Sequence, residues 1–495
     1  MAFLVGALIV VGLPGTAHAA PPHRDSSNTD SNNTSVSAGW DGKESRKDTT
    51  GQMENVRGGV THAAQMWEAG FTGEGIDVAI IDSGVATVEG LDLPGKVLHG
   101  PDLSFESQGP DIYVDTFGHG THLAGIIAGR DDGIRNINKV KSEFVGMAPD
   151  ARIVSLKVAD RNGVTDVSQV IAAIDWVVQH RNTDGLNIRV LTLAYGTDSI
   201  QDYQIDPLSH AVEQAWRAGI VVVVAAGNDG NGSPLRNPAT NPFVITVGAT
   251  DSQGTGDFID DELMGFSSCG TPDRHVDVVA PGKSIESLVA PSSTASIENP
   301  DGVNGRYIKG SGTSQATAVV AGAVALLAQQ RPNATPDQIK ALITGRANPL
   351  TGVDDTCQGS GVFTVKDLYD EALNPTPVAV QTHDASTGIG SLEAARGSVH
   401  IESDGVVLDG EQDIFGNDWV GASWSSLAAA GASWSGGDWN GASWSGASWS
   451  GASWSGASWS GASWSGASWS GASWSGASWS GASWSGNVWH GISWA

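Results

Sequence analysis

Asp82, His119, Asn228 and Ser314 each stand within two residues of glycine where an apolar run begins or ends, in Asp82-Ser83-Gly84, Gly118-His119-Gly120, Gly227-Asn228 and Gly312-Thr313-Ser314. These residue types have one chemistry in common. Serine attacks a carbonyl well only after losing its proton, and imidazole is the side chain suited to take that proton near neutrality. A buried carboxylate holds the imidazole in one tautomer and stabilises the imidazolium that forms. Negative charge then develops on the substrate oxygen and needs donors already in place. The Asn228 amide can supply one, and the Ser314 N–H, at the positive end of a helix, another. Plainer roles exist for the same residues: Ser314 as a helix N-cap and Asp82 as a turn-capping carboxylate. His122 is expected to pack or hydrogen-bond within its own helix.

The elements around these residues belong to one architecture. Ile76-Asp-Val-Ala-Ile-Ile-Asp82 is a nearly continuous apolar run, as in a strand buried on both faces. Similar runs occupy 151–158, 188–196, 220–230, 243–248 and 276–282, with helical patterns over 167–180 and 209–218 between them. Strands alternating with helices indicate an α/β fold with a doubly wound, mostly parallel sheet and helices on both faces. Ligands collect at the carboxyl ends of such strands, where Asp82 and Asn228 lie. The run after Ser314, through Gln330, is apolar all round and is expected to be a buried helix. Thr335-Pro-Asp-Gln338 carries the signals of a further helix start.

The motifs Asp82-Ser-Gly, His119-Gly-Thr-His-Leu-Ala-Gly, Ala225-Ala-Gly-Asn228 and Gly312-Thr-Ser-Gln-Ala resemble, in order and spacing, those of the subtilases, the subtilisin-like serine peptidases. Gly146-Met-Ala-Pro149 and Val279-Ala-Pro-Gly282 agree with this, and the resemblance spans roughly 55–397. A lipase-type reading fails, because Gly312-Thr-Ser-Gln-Ala lacks the second glycine of that nucleophile elbow. The resemblance implies a serine endopeptidase with Ser314 as nucleophile, His119 as base and then acid, Asp82 as orienting carboxylate and Asn228 as oxyanion donor. It also implies peptide-binding strands at Ala194-Tyr195-Gly196 and Ala225-Ala226-Gly227, with polypeptides as substrates. Tyr195 replaces a smaller family residue and is expected to narrow the neighbouring subsites. Arg236 falls near the family's primary specificity pocket, where it could favour an acidic substrate residue or simply be solvated. No cofactor is implied. The family's calcium loop is not recognisable between Gly129 and Gly146, so calcium, though possible, has no support and no metal ligand is assigned. A folded inhibitory pro-domain is also expected of secreted subtilases, and the residues between Ala19 and Asn55 are too few for one.

Composition bounds the rest. Lys and Arg number 26 against 54 Asp and Glu, a formal net charge of -28, which argues against nucleic acid as a partner. Residues 1–19 read as a secretory signal peptide and 20–54 as a polar linker or short pro-segment. The peptidase domain is placed at 55–397 and a connector at 398–415, and the protein is expected to be a secreted monomer. Cys269 and Cys357 either pair, closing a loop that contributes roughly 4 kcal/mol, or stay buried thiols. From Gly416 to Ala495 a five-residue unit repeats, Gly-Ala-Ser-Trp-Ser without interruption from Gly441 to Ser485, with Trp in fourth place except in Ser426-Leu-Ala-Ala-Ala430. This low-complexity pentapeptide tail reads as a separate region. It is either a solenoid, which Trp at every inward site would overfill, or a flexible chain of exposed indoles suited to cell-wall or surface glycans.

Overall fold

The computed structural model describes residues 38–43, 47, 49–107, 109–140, 143–403, 406–435, 438–439 and 442–443. The expected signal peptide at 1–19, the polar segment before residue 38 and the repeat beyond residue 443 lie outside them. Eleven strands frame the site: β1 (Gly39–Trp40), β2 (Asp77–Asp82), β3 (Val97–Asp102), β4 (Arg152–Lys157), β5 (Ile188–Leu193), β6 (Val221–Ala225), β7 (Ile245–Asp251), β8 (Glu262–Leu263), β9 (Val278–Pro281), β10 (Ile285–Leu288) and β11 (Tyr307–Ser311).

The main sheet runs β3-β4-β2-β5-β6-β7 with every neighbour parallel, and β9 extends it in parallel beyond β7. Only β8 joins it antiparallel. Strands β2 and β6 are buried along their whole lengths, as their unbroken apolar runs require. From β2 the chain builds β3 and β4 on one side and β5 to β7 on the other. The carboxyl end of β2, Asp82, therefore lies where strand order reverses. The ends of β2, β5 and β6 are adjacent and lead into Asp82, Ala194-Tyr195-Gly196 and Ala226-Gly227-Asn228.

Thr313–Gln330 is one helix, and of its 18 residues all but Gln329 are buried. It packs against β5, β6, β7 and β9 and against the helix His119–Ala128. Helices Val167–His180 and Pro207–Arg217 pack on each other. Asp166 and Gln169 close a capping box on the first, and Asp206, just before Pro207, caps the second by accepting the Ser209 N–H. Thr335 and Gln338 make the box expected from sequence.

The sequence reading differs from the structure in three places. Part of the polar segment is strand: β1 pairs antiparallel with β11, and β11 with β10, in a small sheet beside the Ser314 helix. Pairing at a sheet edge uses backbone groups, so a polar segment can supply it without apolar periodicity. Strand β3 contains Gly100 and Pro101, which conceal it in the sequence. The onset of the repeat is not a separate region. Trp424 and Trp439 are fully buried, both indole N–H groups donate to Asp175 Oδ2 at 2.8 and 2.7 Å, and Trp434 donates to Ala172 O at 2.9 Å. These units dock on the helix Val167–His180, and a buried carboxylate, not a glycan, takes their donors. Cys269 and Cys357 form a disulfide.

Candidate active site

Asp82 ends β2 with its carboxylate turned to His119. The His119 Nδ1 lies 2.9 Å from Oδ1 and 2.8 Å from Oδ2. Ser83 fixes the same carboxylate, its N–H donating to Oδ1 at 2.7 Å and its hydroxyl lying 3.1 Å away. Both acid and imidazole are buried. His119 opens its helix behind Gly118, which holds the left-handed φ of 105°. The next residue must also be glycine: a Cβ on Gly120 would lie 2.1 Å from Gly84 O and 3.2 Å from the Asp82 side chain.

Asp115 holds this helix start in place. Its carboxylate accepts the N–H groups of Gly118 at 2.6 Å and Thr121 at 2.8 Å, and the Ser83 hydroxyl at 2.8 Å. Ser83 in turn accepts the Gly120 N–H at 3.0 Å. Burial raises the Asp115 carboxyl, and these donors oppose the rise. Further out, the buried Lys157 binds Glu106 and Val114 O at 2.5 Å each, pinning the loop that leads to His119. Sequence reasoning missed Ser83, Asp115 and Lys157 as positioning groups. Ser83 lies inside the motif that carries Asp82, and Asp115 stands four residues before His119, so their nearness to these residues was the available signal.

Ser314 is the second residue of its helix, and its hydroxyl is buried without a hydrogen-bond partner among the described residues. Its N–H belongs to the first turn, where no intrahelical acceptor exists. Asn228 follows β6, and its Oδ1 accepts the Thr313 N–H at 3.0 Å and hydroxyl at 3.1 Å. With Oδ1 engaged twice, Nδ2 is the end of the amide left to donate. The fold thus brings Asp82 and His119 into contact, ties Asn228 to the residue before Ser314, and packs the His119 and Ser314 helices together.

Residues 73–377 match the Subtilase family. Serine protease AprX of Bacillus subtilis is 34% identical over 318 residues, covering 62% of this chain and 69% of that protein. The chain belongs to the subtilase family. Subtilisin E of Bacillus subtilis is 33% identical over 292 residues, 58% of this chain and 64% of its own length. Minor extracellular protease Epr of Bacillus subtilis is 33% identical over 293 residues, and this chain spans 38% of it. Among solved structures, a cold adapted subtilisin-like serine proteinase matches with 28% identity and a TM-score of 0.44, over 60% of this chain and 89% of that one.

This subtilase is accordingly a serine endopeptidase by family, and three of its side chains depart from the sequence reading. Tyr195 is buried, and burial together with the Asp166 charge pushes its phenol up. Its ring lies inside the domain near Asp166 and Arg396, so it does not narrow a subsite. Arg236 is not a free cation: Nε and Nη2 fork onto Asp229 at 2.5 and 2.7 Å. His122 leaves its helix to reach Ile285 O and Ile308 O, each 3.2 Å from Nε2, and burial with the His119 charge pushes it down to about 3. It stays neutral, with Trp40 of β1 edge-on at 5.1 Å.

Proposed function

We propose that this subtilase is a secreted serine endopeptidase that cuts peptide bonds through an acyl-enzyme, with Asp82, His119 and Ser314 as its triad and Asn228 as oxyanion donor. The observation that carries the reading is the His119 Nδ1 contact with both Asp82 oxygens, at 2.9 and 2.8 Å, on a helix packed against the one that carries Ser314. His119 takes the Ser314 proton as Oγ bonds to the scissile carbon. The carbonyl oxygen gains the charge and is met by Asn228 Nδ2 and the Ser314 N–H. Imidazolium then gives its proton to the departing amine, and water repeats the sequence to free the acid. Ala194-Tyr195-Gly196 and Ala225-Ala226-Gly227 would pair with the extended substrate through their backbones.

A fluorophosphonate probe on the secreted chain, beside Ser314→Ala, tests this. Labelling of the wild type alone is expected. An unlabelled wild type whose thermal unfolding shows an intact fold overturns it. Mass spectrometry of the same sample is expected to find a new N-terminus after Ala19.

For the uninterrupted repeat from Gly441 to Ser485 the proposal is attachment to a cell-wall or surface glycan, supported by regularly spaced Trp among Gly and Ser. Full chain and a chain ended after Ser443 would be compared on purified cell wall. Equal retention of the two removes the idea.

A further inference from the structure

Gly196 and Gly227, on the two strands expected to hold the substrate, face the same side chain. A Cβ on Gly196 would lie 2.6 Å from Arg236 Cβ, and one on Gly227 would lie 2.8 Å from Arg236 Cγ. Real side-chain atoms do not approach so closely, so the stem of Arg236 fills the space that both glycines leave. The backbone secures it there. The Arg236 N–H donates to Ala226 O at 3.1 Å, and Asn237 exchanges two hydrogen bonds of 2.9 Å with Thr197. Residues 236–237 therefore bridge the ends of β5 and β6.

The head of Arg236 is fixed as well. Its bidentate bonds to Asp229 have the geometry that favours guanidinium and carboxylate most, and Nη1 lies 3.9 Å from Asp198. Asp198 is anchored in turn by the N–H of Ser398, at 2.7 Å, and by its hydroxyl. One cation thus stands between two carboxylates, and the local charge balance is negative. The charge that would have attracted an acidic substrate residue is already neutralised.

In the reading above, the scissile carbonyl lies between Ser314 Oγ and Asn228. The side chain of the residue that supplies this carbonyl branches one bond away, beside Gly227, which precedes Asn228. Gly196 lies across from it. A side chain entering between these walls meets the Arg236 stem.

We propose that Arg236 is a specificity-determining residue that fills the slot between Gly196 and Gly227, so that this subtilase accepts small, uncharged residues on the acyl side of the scissile bond, with Asp229 and Asp198 holding the plug in place. The inference rests on the peptidase reading and on the position of Asn228 within it.

The full-length secreted chain would be tested with peptides that differ only in the acyl-side residue: Ala, Leu, Phe or Glu. The wild type should prefer Ala to Phe by about tenfold or more in kcat/KM, the scale on which a filled pocket discriminates, with Glu also poor. Arg236→Gly should raise the Phe-to-Ala ratio by about tenfold or more. Arg236→Met keeps the stem without the charge and should leave that ratio near the wild-type value, which separates filling from electrostatics. Fluorophosphonate labelling of Ser314 in each variant reports an assembled site. A wild type that cuts Phe or Glu peptides as well as Ala, or a labelled Arg236→Gly with an unchanged ratio, overturns the proposal. If Arg236→Gly does not label, the wild-type profile and Arg236→Ala decide in the same terms. Failure of the peptidase reading looks different: no peptide is cut and the wild-type Ser314 takes no label.

Discussion

Thr313 donates its backbone N–H to Asn228 Oδ1 at 3.0 Å, so the residue directly before Ser314 sets the orientation of the candidate oxyanion amide. The Thr313 hydroxyl adds a contact of 3.1 Å to the same oxygen and lies 3.3 Å from the Gly227 N–H, which it accepts. A donor held before the reaction needs no reorganisation when charge develops.

Asn228→Leu is therefore expected to lower kcat by about 10²–10³-fold with a small change in KM. Thr313→Val keeps the N–H and loses the hydroxyl, and should cost less, about tenfold or under. Steady-state kinetics on one peptide substrate would check both. A loss confined to KM would show that Asn228 binds substrate without stabilising the transition state.

Among the described residues Asp115 has no cationic partner, and the donors that stabilise it all belong to the Asp82 and His119 turns. Asp115→Asn puts an NH2 group against at least one of them. A buried donor left unpaired costs about 1–3 kcal/mol, which thermal unfolding would detect. Because the lost bonds orient His119, kcat should fall while KM stays near its wild-type value. Unchanged kcat with lowered stability would leave Asp115 a purely structural residue.

Asp175 carries the docked repeat. Burial pushes its carboxyl up to about 6, against the hydrogen bonds from Trp439 and Trp424, which favour the ionised form. Its folded value lies above the unfolded one, so the folded state binds the proton more tightly. The group's contribution to stability should therefore rise as pH falls from about 7 towards 4, by about 3 kcal/mol at most. Asp175→Asn should abolish this part of the pH dependence. Tm against pH for both proteins, with Trp fluorescence as the probe, gives the comparison. Parallel curves would contradict it.

Arg396 is buried with Asp166, bonded at 2.7 Å, and also donates to Gly410 O at 2.8 Å and to Gln412 O. Asp166 is the N-cap of the helix Val167–His180. Arg396→Met removes one partner of a buried pair and should cost about 3–5 kcal/mol. Adding Asp166→Asn should recover much of that loss, because the uncompensated charge goes with it. Chemical denaturation of the two variants tests this, and equal instability of both would refute it.

Much of the molecule was legible in the sequence for simple reasons. Strands buried on both faces must be apolar throughout, so β2, β5 and β6 stand out as unbroken runs. A helix buried on every side must lack charge, which marks residues 313–330. The candidate site residues follow these runs at glycine-lined turns, where a backbone must turn sharply next to a reacting group. Those features are local, and a local pattern can be read without coordinates.

What depended on distant partners was not legible. Tyr195 and Arg236 were both assigned to the substrate cleft from their positions in the chain. Only the fold shows that the Tyr195 ring is buried near Asp166 and Arg396 and that the head of Arg236 forks onto Asp229. Trp424 and Trp439 look like their fellows in the repeat, yet they are buried because Asp175, some 250 residues earlier, offers one carboxylate to both. The sequence by itself determined the α/β sheet, the buried helix that carries Ser314 and the set of residue types able to hydrolyse an amide, because burial and turn geometry restrict which residues can occupy those places. The tertiary structure alone decided that the two cysteines pair, that β1 borders the site, that the first repeats belong to the domain and that Arg236 is neutralised between two acids. Each of those rests on side-chain or backbone contacts that no periodicity records, most of them between residues far apart in the chain.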